Sequence, residues 1–195
     1  MLRQNPHNVY EWLNRAKLCE QDIKLTIKTF TEAIQTVDPL KSKGKTSKIW
    51  VRFAEFYEQY EELQNANFIY HKASQLQFKS IEEVSFIYCS WAEMHIRANN
   101  IESALEIMKY GCNKPKSKLK ADAETKSGSL VFNIRAWSLY IDLLENCGTF
   151  EETKAAYERV LDLKIATPET VLNFTRFLQT NNFFEESFRV FERAV

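Results

Sequence analysis

Ile49-Trp50-Val51-Arg52-Phe53-Ala54-Glu55-Phe56 returns as Ile87-Tyr88-Cys89-Ser90-Trp91-Ala92-Glu93-Met94. The two rings, the alanine, the acid and the next apolar residue keep their places at an offset of 38. A third copy, Ala136-Trp137-Ser138-Leu139-Tyr140-Ile141-Asp142-Leu143, follows after a step of 49. Trp12 and Ala16 supply an earlier copy, and Val171, Phe174 and Phe177 a degenerate later one. Rings at i and i+3 with a small residue at i+4 lie on one face of a helix. The small residue lets a second helix approach while the ring fills the groove beside it.

A second motif follows each copy, with the form large, polar, polar, small. It reads Phe30-Thr31-Glu32-Ala33, Tyr70-His71-Lys72-Ala73, Met108-Lys109-Tyr110-Gly111, Tyr157-Glu158-Arg159-Val160 and Phe191-Glu192-Arg193-Ala194. Its first residues step by 40, 38, 49 and 34, nearly in time with the first motif. Two anchors stepping together describe five repeats of two helices. One such pair cannot bury all its apolar surface, so each needs its neighbours. The expected fold is all-α, a right-handed α-α superhelix (solenoid) of about five helix pairs in a single array over residues 1–195. The repeats are expected at approximately 5–38, 46–76, 80–113, 129–163 and 167–195, with an insertion loop at 114–128. The residues expected to pack the repeats are Trp12, Ala16, Ala33, Trp50, Phe53, Ala54, Tyr70, Ala73, Tyr88, Trp91, Ala92, Trp137, Tyr140, Tyr157, Phe174, Phe191 and Ala194.

Composition agrees. With four glycines and four prolines in 195 residues, the chain is short of the turn residues that all-β folds and glycine-rich ligand loops need. Asn5-Pro6 and Thr167-Pro168 each place a capping residue before a first-turn proline. Ser80 with Glu83, Thr149 with Glu152 and, approximately, Asn182 with Glu185 have capping-box spacing. Acid pairs such as Glu61-Glu62, Glu82-Glu83, Glu151-Glu152 and Glu185-Glu186 are expected mostly at the starts of second helices, where they suit the positive helix end. Cys19, Cys89, Cys112 and Cys147 are isolated and read as reduced thiols packed in helices of an intracellular protein. The first residues lack the apolar core of a signal peptide, and no apolar run approaches membrane-spanning length.

Lys plus Arg equals Asp plus Glu at 26 each, so global charge argues against a dedicated nucleic-acid domain. Locally, Lys41, Lys43, Lys45 and Lys48 fall between repeats one and two, and Lys114, Lys116, Lys118 and Lys120 between repeats three and four. Equivalent linkers share one edge of a solenoid, so the clusters are expected on one rim, roughly 20–40 Å apart. Such a rim is either a solvated edge or a contact for RNA phosphates or an acidic segment.

Catalytic and metal chemistry find little footing. Gly44-Lys45-Thr46 resembles the end of a phosphate loop, but the earlier glycine that loop requires is Pro39 here, and a helix rather than a strand precedes it. His7, His71 and His95 are scattered, and His95, four residues after Trp91, reads as a packing or surface residue. No G-x-S-x-G is present. No enzyme activity, cofactor, metal site or membrane contact is expected.

The ring-rich first helices and the endings Tyr157-Glu158-Arg159-Val160 and Phe191-Glu192-Arg193-Ala194 resemble half-a-tetratricopeptide (HAT) repeats of eukaryotic RNA-processing proteins. Leu2-Arg3-Gln4-Asn5-Pro6-His7, Glu32-Ala33-Ile34-Gln35-Thr36-Val37-Asp38-Pro39, Leu161-Asp162-Leu163-Lys164-Ile165-Ala166-Thr167-Pro168 and Phe184-Glu185-Glu186-Ser187-Phe188 resemble the central part of the SYF family of pre-mRNA-splicing factors. That resemblance implies a nuclear scaffold of the NineTeen-associated complex, with other splicing proteins as partners, and for some members a role in transcription and repair. It also implies that the chain is a piece of a longer arch. The alternative function is direct RNA binding on the lysine rim. A cut array exposes its end faces, so Phe188 and Phe191 offer a route to self-association, while the oligomeric state itself is not legible in the sequence.

Overall fold

The computed structural model describes residues 5–113 and 133–194. Within them the chain forms α1 (Val9–Leu18), α2 (Ile23–Thr36), α3 (Ser47–Gln59), α4 (Leu63–Ser74), α5 (Ile81–Arg97), α6 (Ile101–Asn113), α7 (Ile134–Cys147), α8 (Phe150–Asp162), α9 (Pro168–Thr180) and α10 (Phe184–Ala194). Consecutive helices pack as pairs, each pair packs on the next, and α1–α3, α3–α5 and α5–α7 add contacts between first helices. The result is an all-α helical repeat solenoid with one continuous core running along it. Its largest fully buried side chains include Trp137, Tyr70, Tyr88 and Phe174. The sole ladder-like feature among the described residues is an isolated bridge between Asn8 and Lys43.

Local chemistry sets the helix limits. Thr167 caps α9 with Pro168 in the first turn, and Thr149 with Glu152 forms a full capping box on α8. The Asn5-Pro6 start is corrected: α1 begins at Val9, capped by Asn8, whose Oδ1 accepts from Tyr10 N at 3.2 Å. Asn5 and Pro6 instead form a turn that presents the Pro6 carbonyl to Trp12 Nε1 at 2.8 Å. Asn182 is no cap either. It has φ 68°, two residues before α10 begins.

Asn182 belongs to a device that explains the glycine shortage. Glu61, Asn99 and Asn182 hold φ of 59°, 56° and 68° between the two helices of their pairs, and Lys164 holds 55° between α8 and α9. The next residue's N–H then reaches back five positions: Glu62 N to Tyr57 O at 3.0 Å, Asn100 N to His95 O at 2.8 Å and Phe183 N to Leu178 O at 2.9 Å. This is the left-handed helix ending usually given to glycine. Asparagine tolerates it, whereas glutamate and lysine carry a steric cost.

The cysteines divide. Cys89 and Cys112 are buried, Cys19 lies just past the end of α1, and Cys147 is exposed at the last position of α7. Cys147 therefore departs from the packed environment expected of it, because the end of α7 faces solvent.

Candidate partner-binding surface

The packing residues named from the sequence are buried in the core, from Trp12, Ala16 and Ala33 through Trp50, Phe53, Ala54, Tyr70, Ala73, Tyr88, Trp91 and Ala92 to Trp137, Tyr140, Tyr157 and Phe174. Phe191 is the exception at 39 % exposure, since α10 packs on α9 and no described residue covers its outer side. The side chain of Ala194 lies outside the described residues. Burial pushes the Tyr88 and Tyr140 hydroxyls up to about 12, and the Cys112 thiol likewise, so Cys112 stays protonated near neutrality. Trp91 Nε1 donates to Asn67 Oδ1 at 2.6 Å, and His95 Nε2 lies 3.3 Å from the same oxygen. Burial also lowers the pKa of His95, which is half-buried.

Between α1 and α3, over α2, runs a groove enclosing about 320 Å³. Leu13, Ala16, Phe30 and Phe56 give it an apolar floor, and Asn14, Lys17, Glu20, Arg52, Glu55 and Gln59 a polar rim. Phe30 stacks on Phe53 at 5.1 Å, a contact between α2 and α3 beneath the groove. An apolar floor with a hydrogen-bonding rim suits a partner side chain anchored from above.

The linker from Val37 to Thr46 is tied on two sides. Asp38 N donates to His7 Nδ1 at 3.2 Å, Lys43 N to His7 O at 2.9 Å, and Val9 N to Lys43 O at 3.1 Å. Gly44 has φ 106°, and a Cβ there would come within 3.0 Å of the Tyr10 ring. From the other side, Lys79 Nζ donates to Ser42 O at 2.5 Å, and Lys45 pairs with Glu82 at 2.9 Å, a bond that raises the lysine's pKa. Glu83, only 3 % exposed, turns its carboxylate to Ser47 N at 3.0 Å and so caps α3 from α5. The capping box expected of Ser80 and Glu83 is thus half formed. Ser80 Oγ accepts from Glu83 N at 3.4 Å, but the carboxylate serves another helix. Glu82 and Glu83 accordingly begin a first helix and not a second one. The spacing signalled the cap, and nothing local to it signalled the partner 36 residues away.

These ties bear on the lysines and on Gly44-Lys45-Thr46. Lys45 is neutralised by Glu82, Lys41 lies 3.8 Å from Asp38, and Lys43 and Lys48 are exposed with no acidic partner among the described residues. Lys114, Lys116, Lys118 and Lys120 lie outside the described residues, and so does the expected insertion loop. A carboxylate already occupies the α3 N-terminus, so the stretch before it offers a phosphate no cradle. Among the described residues no group of three or more His, Cys, Asp or Glu could hold a metal ion, and no helix is long and apolar enough to cross a membrane.

Comparison with known proteins follows the same repeat architecture. Residues 1–37 match the family model of the pre-mRNA-splicing factor SYF1 middle HAT repeat, and residues 39–195 that of the Syf1/CRNKL1 C-terminal HAT repeat. The two meet in the tied linker. The chain is 40 % identical over 197 residues to the pre-mRNA-splicing factor syf1 homolog of Drosophila melanogaster, covering 100 % of this chain and 22 % of that protein. It is 39 % identical over 197 residues to pre-mRNA-splicing factor SYF1 of Homo sapiens, covering 100 % and 23 %. It therefore spans about a quarter of the length of the curated relatives it matches. Among solved structures, the MamA protein aligns with a TM-score of 0.50 at 11 % identity, over 95 % of this chain and 88 % of that one, a likeness of fold alone. With both HAT models matched end to end along the array, the chain belongs to the Syf1 family of pre-mRNA-splicing factors.

Proposed function

We propose that this segment is a non-enzymatic scaffold of the spliceosome, working in the nucleus within the NineTeen-associated complex through contacts with other splicing proteins. The observation that carries this reading is the groove between α1 and α3, an apolar floor under a polar rim. It is the kind of surface that holds a partner's anchoring side chain. Substituting Asn14→Trp and Gln59→Trp fills its mouth from two exposed positions and leaves the core alone. Affinity capture with the intact protein, followed by crosslink mapping onto this segment, is expected to lose the crosslinks that centre on the groove. Unchanged partners and unchanged crosslinks would sink the proposal.

The alternative, direct RNA binding on a lysine rim, draws on Lys43 and Lys48, the members of the first cluster without an acidic neighbour. It requires binding of single-stranded RNA that weakens steeply with salt. Charge reversal at Lys41, Lys43, Lys45 and Lys48, and at Lys114, Lys116, Lys118 and Lys120, removes that binding if the rim is used. Salt-independent binding, or none, excludes it.

A further inference from the structure

First helices of successive pairs pack on one another at three joints, α1 on α3, α3 on α5 and α5 on α7, whereas α7 and α9 scarcely touch. The fifth pair is carried on α8 by flat rings. Tyr157 stacks on Phe174 with centroids 4.7 Å apart and planes 12° from parallel. Phe150 stacks on Phe177 (5.3 Å, 15°) and on Phe183 (4.7 Å, 17°). Pulling such rings apart wets their faces, while a sideways slide keeps most of the contact. Ridges seated in grooves allow no comparable slide. Two ion pairs, Lys154 with Glu186 and Asp162 with Arg193, also join α8 to α10, through long side chains able to follow a small movement.

Both helices that border the α7–α9 gap carry acidic residues. Asp142 and Glu145 stand on α7 and Glu169 on α9. Glu145 accepts from Tyr157 Oη at 2.6 Å, which places it beside the ring stack. Burial raises the pKa of Asp142, and the charge of Glu145 on the same helix and then that of Glu169 across the gap add to the rise. Bringing α7 and α9 together would crowd them further.

We propose that α9 and α10 form a unit that pivots by sliding on the stacked rings of α8, and that Asp142, Glu145 and Glu169 hold the α7–α9 gap open. The pivot changes the curvature of the surface that the solenoid presents at this end, a hinge of the sliding kind.

Pairwise spin-label distances test this. One label pair replaces Ser138 and Asn173 with cysteine, across α7–α9, and a control pair replaces Gln59, at the end of α3, and Ala98, just past the end of α5. Both pairs are made in a background with Cys19→Ser and Cys147→Ser. The α7–α9 distribution is expected to be the broader one. Asp142→Asn, Glu145→Gln and Glu169→Gln together are expected to shorten its mean and narrow it, leaving the control unchanged. If the triple variant loses helicity, the unsubstituted carboxylates in ~1 M salt, where screening acts over about 3 Å, are expected to shift the same way. Equal widths at the two joints, or an α7–α9 distance indifferent to both charge removal and salt, would overturn the proposal.

Discussion

The joint where α5 meets α3 and its linker differs in kind from the joint where α9 meets α8. The first is held by directed bonds: Glu83 on Ser47 N, Lys79 on Ser42 O, Lys45 on Glu82, and Arg97 donating from Nε and Nη2 to both oxygens of Glu58 at 2.7 and 2.8 Å. The second is held by ring faces, with charge pairs only at its edge. Directed bonds fix an angle, because a buried carboxylate cannot leave its donor without cost. Stacked faces fix a distance and leave the angle soft. One array therefore combines a stiff joint and a compliant one from the same repeat.

The sharpest way to break the contrast is to remove the rings. Phe174→Ala deletes a buried ring from the compliant joint and should cost about 3–5 kcal/mol. Because a solenoid's stability is held between neighbours, the loss should stay local. Amides of α9 and α10 are expected to lose hydrogen-exchange protection while those of α3 and α5 keep theirs. Loss of protection along the whole chain would show that the joints are not separable.

Next in size is the stiff joint's own anchor. Glu83→Ala leaves Ser47 N–H without its acceptor in a pocket where Thr46 and Ser47 hydroxyls already lack partners. That should cost roughly 1–3 kcal/mol, and Glu83→Gln, which keeps an acceptor oxygen, noticeably less. Urea unfolding followed by Trp50 and Trp91 fluorescence separates the two variants. Equal midpoints for alanine and glutamine would mean that the bond to Ser47 does not matter. A smaller effect, about 0.5–1 kcal/mol, is expected for Arg97→Met, since Arg97 is half exposed while its partner Glu58 is mostly covered. The same readout in high salt should shrink the difference from wild type.

How much of this was legible beforehand follows from the range of each interaction. Repeat spacing marked the core rings because packing at i, i+3 and i+4 is written into adjacent residues, as at Trp50, Phe53 and Ala54. Thr149 and Thr167 were readable as caps for the same reason, their partners lying three residues on. Glu83 was not readable as the cap of α3. Its donor is on another helix, and its own sequence neighbourhood satisfied a local rule that the carboxylate then ignored. Asn5 failed for a related reason. The linker bonds of His7 and Lys43 hold residues 5–8 as a strap, which delays the helix to Val9. Nor did composition show how so few glycines could suffice, since left-handed endings at Glu61 and Lys164 follow from packing that demands a short turn regardless of the residue supplied.

Those two endings give the finest test of the contrast between joints. Lys164 holds φ 55° in the link between α8 and α9, and Glu61 holds 59° in the turn within the second pair. A left-handed non-glycine residue costs about 1–2 kcal/mol, and glycine returns part of that gain through its freer unfolded chain. Lys164→Gly and Glu61→Gly should therefore each stabilise by roughly 0.5 kcal/mol, visible as a small upward shift in urea midpoint. The joints predict a difference in where the gain appears. Relief at Glu61 lies inside a pair locked to its neighbours and should raise protection across α3, α4 and α5 together. Relief at Lys164 lies on the compliant link, so the extra protection should be confined to the last turn of α8 and the first of α9. A gain from Lys164→Gly that spread through α9 and α10 would mean that this link, and not the ring stack, sets how firmly the fifth pair is held.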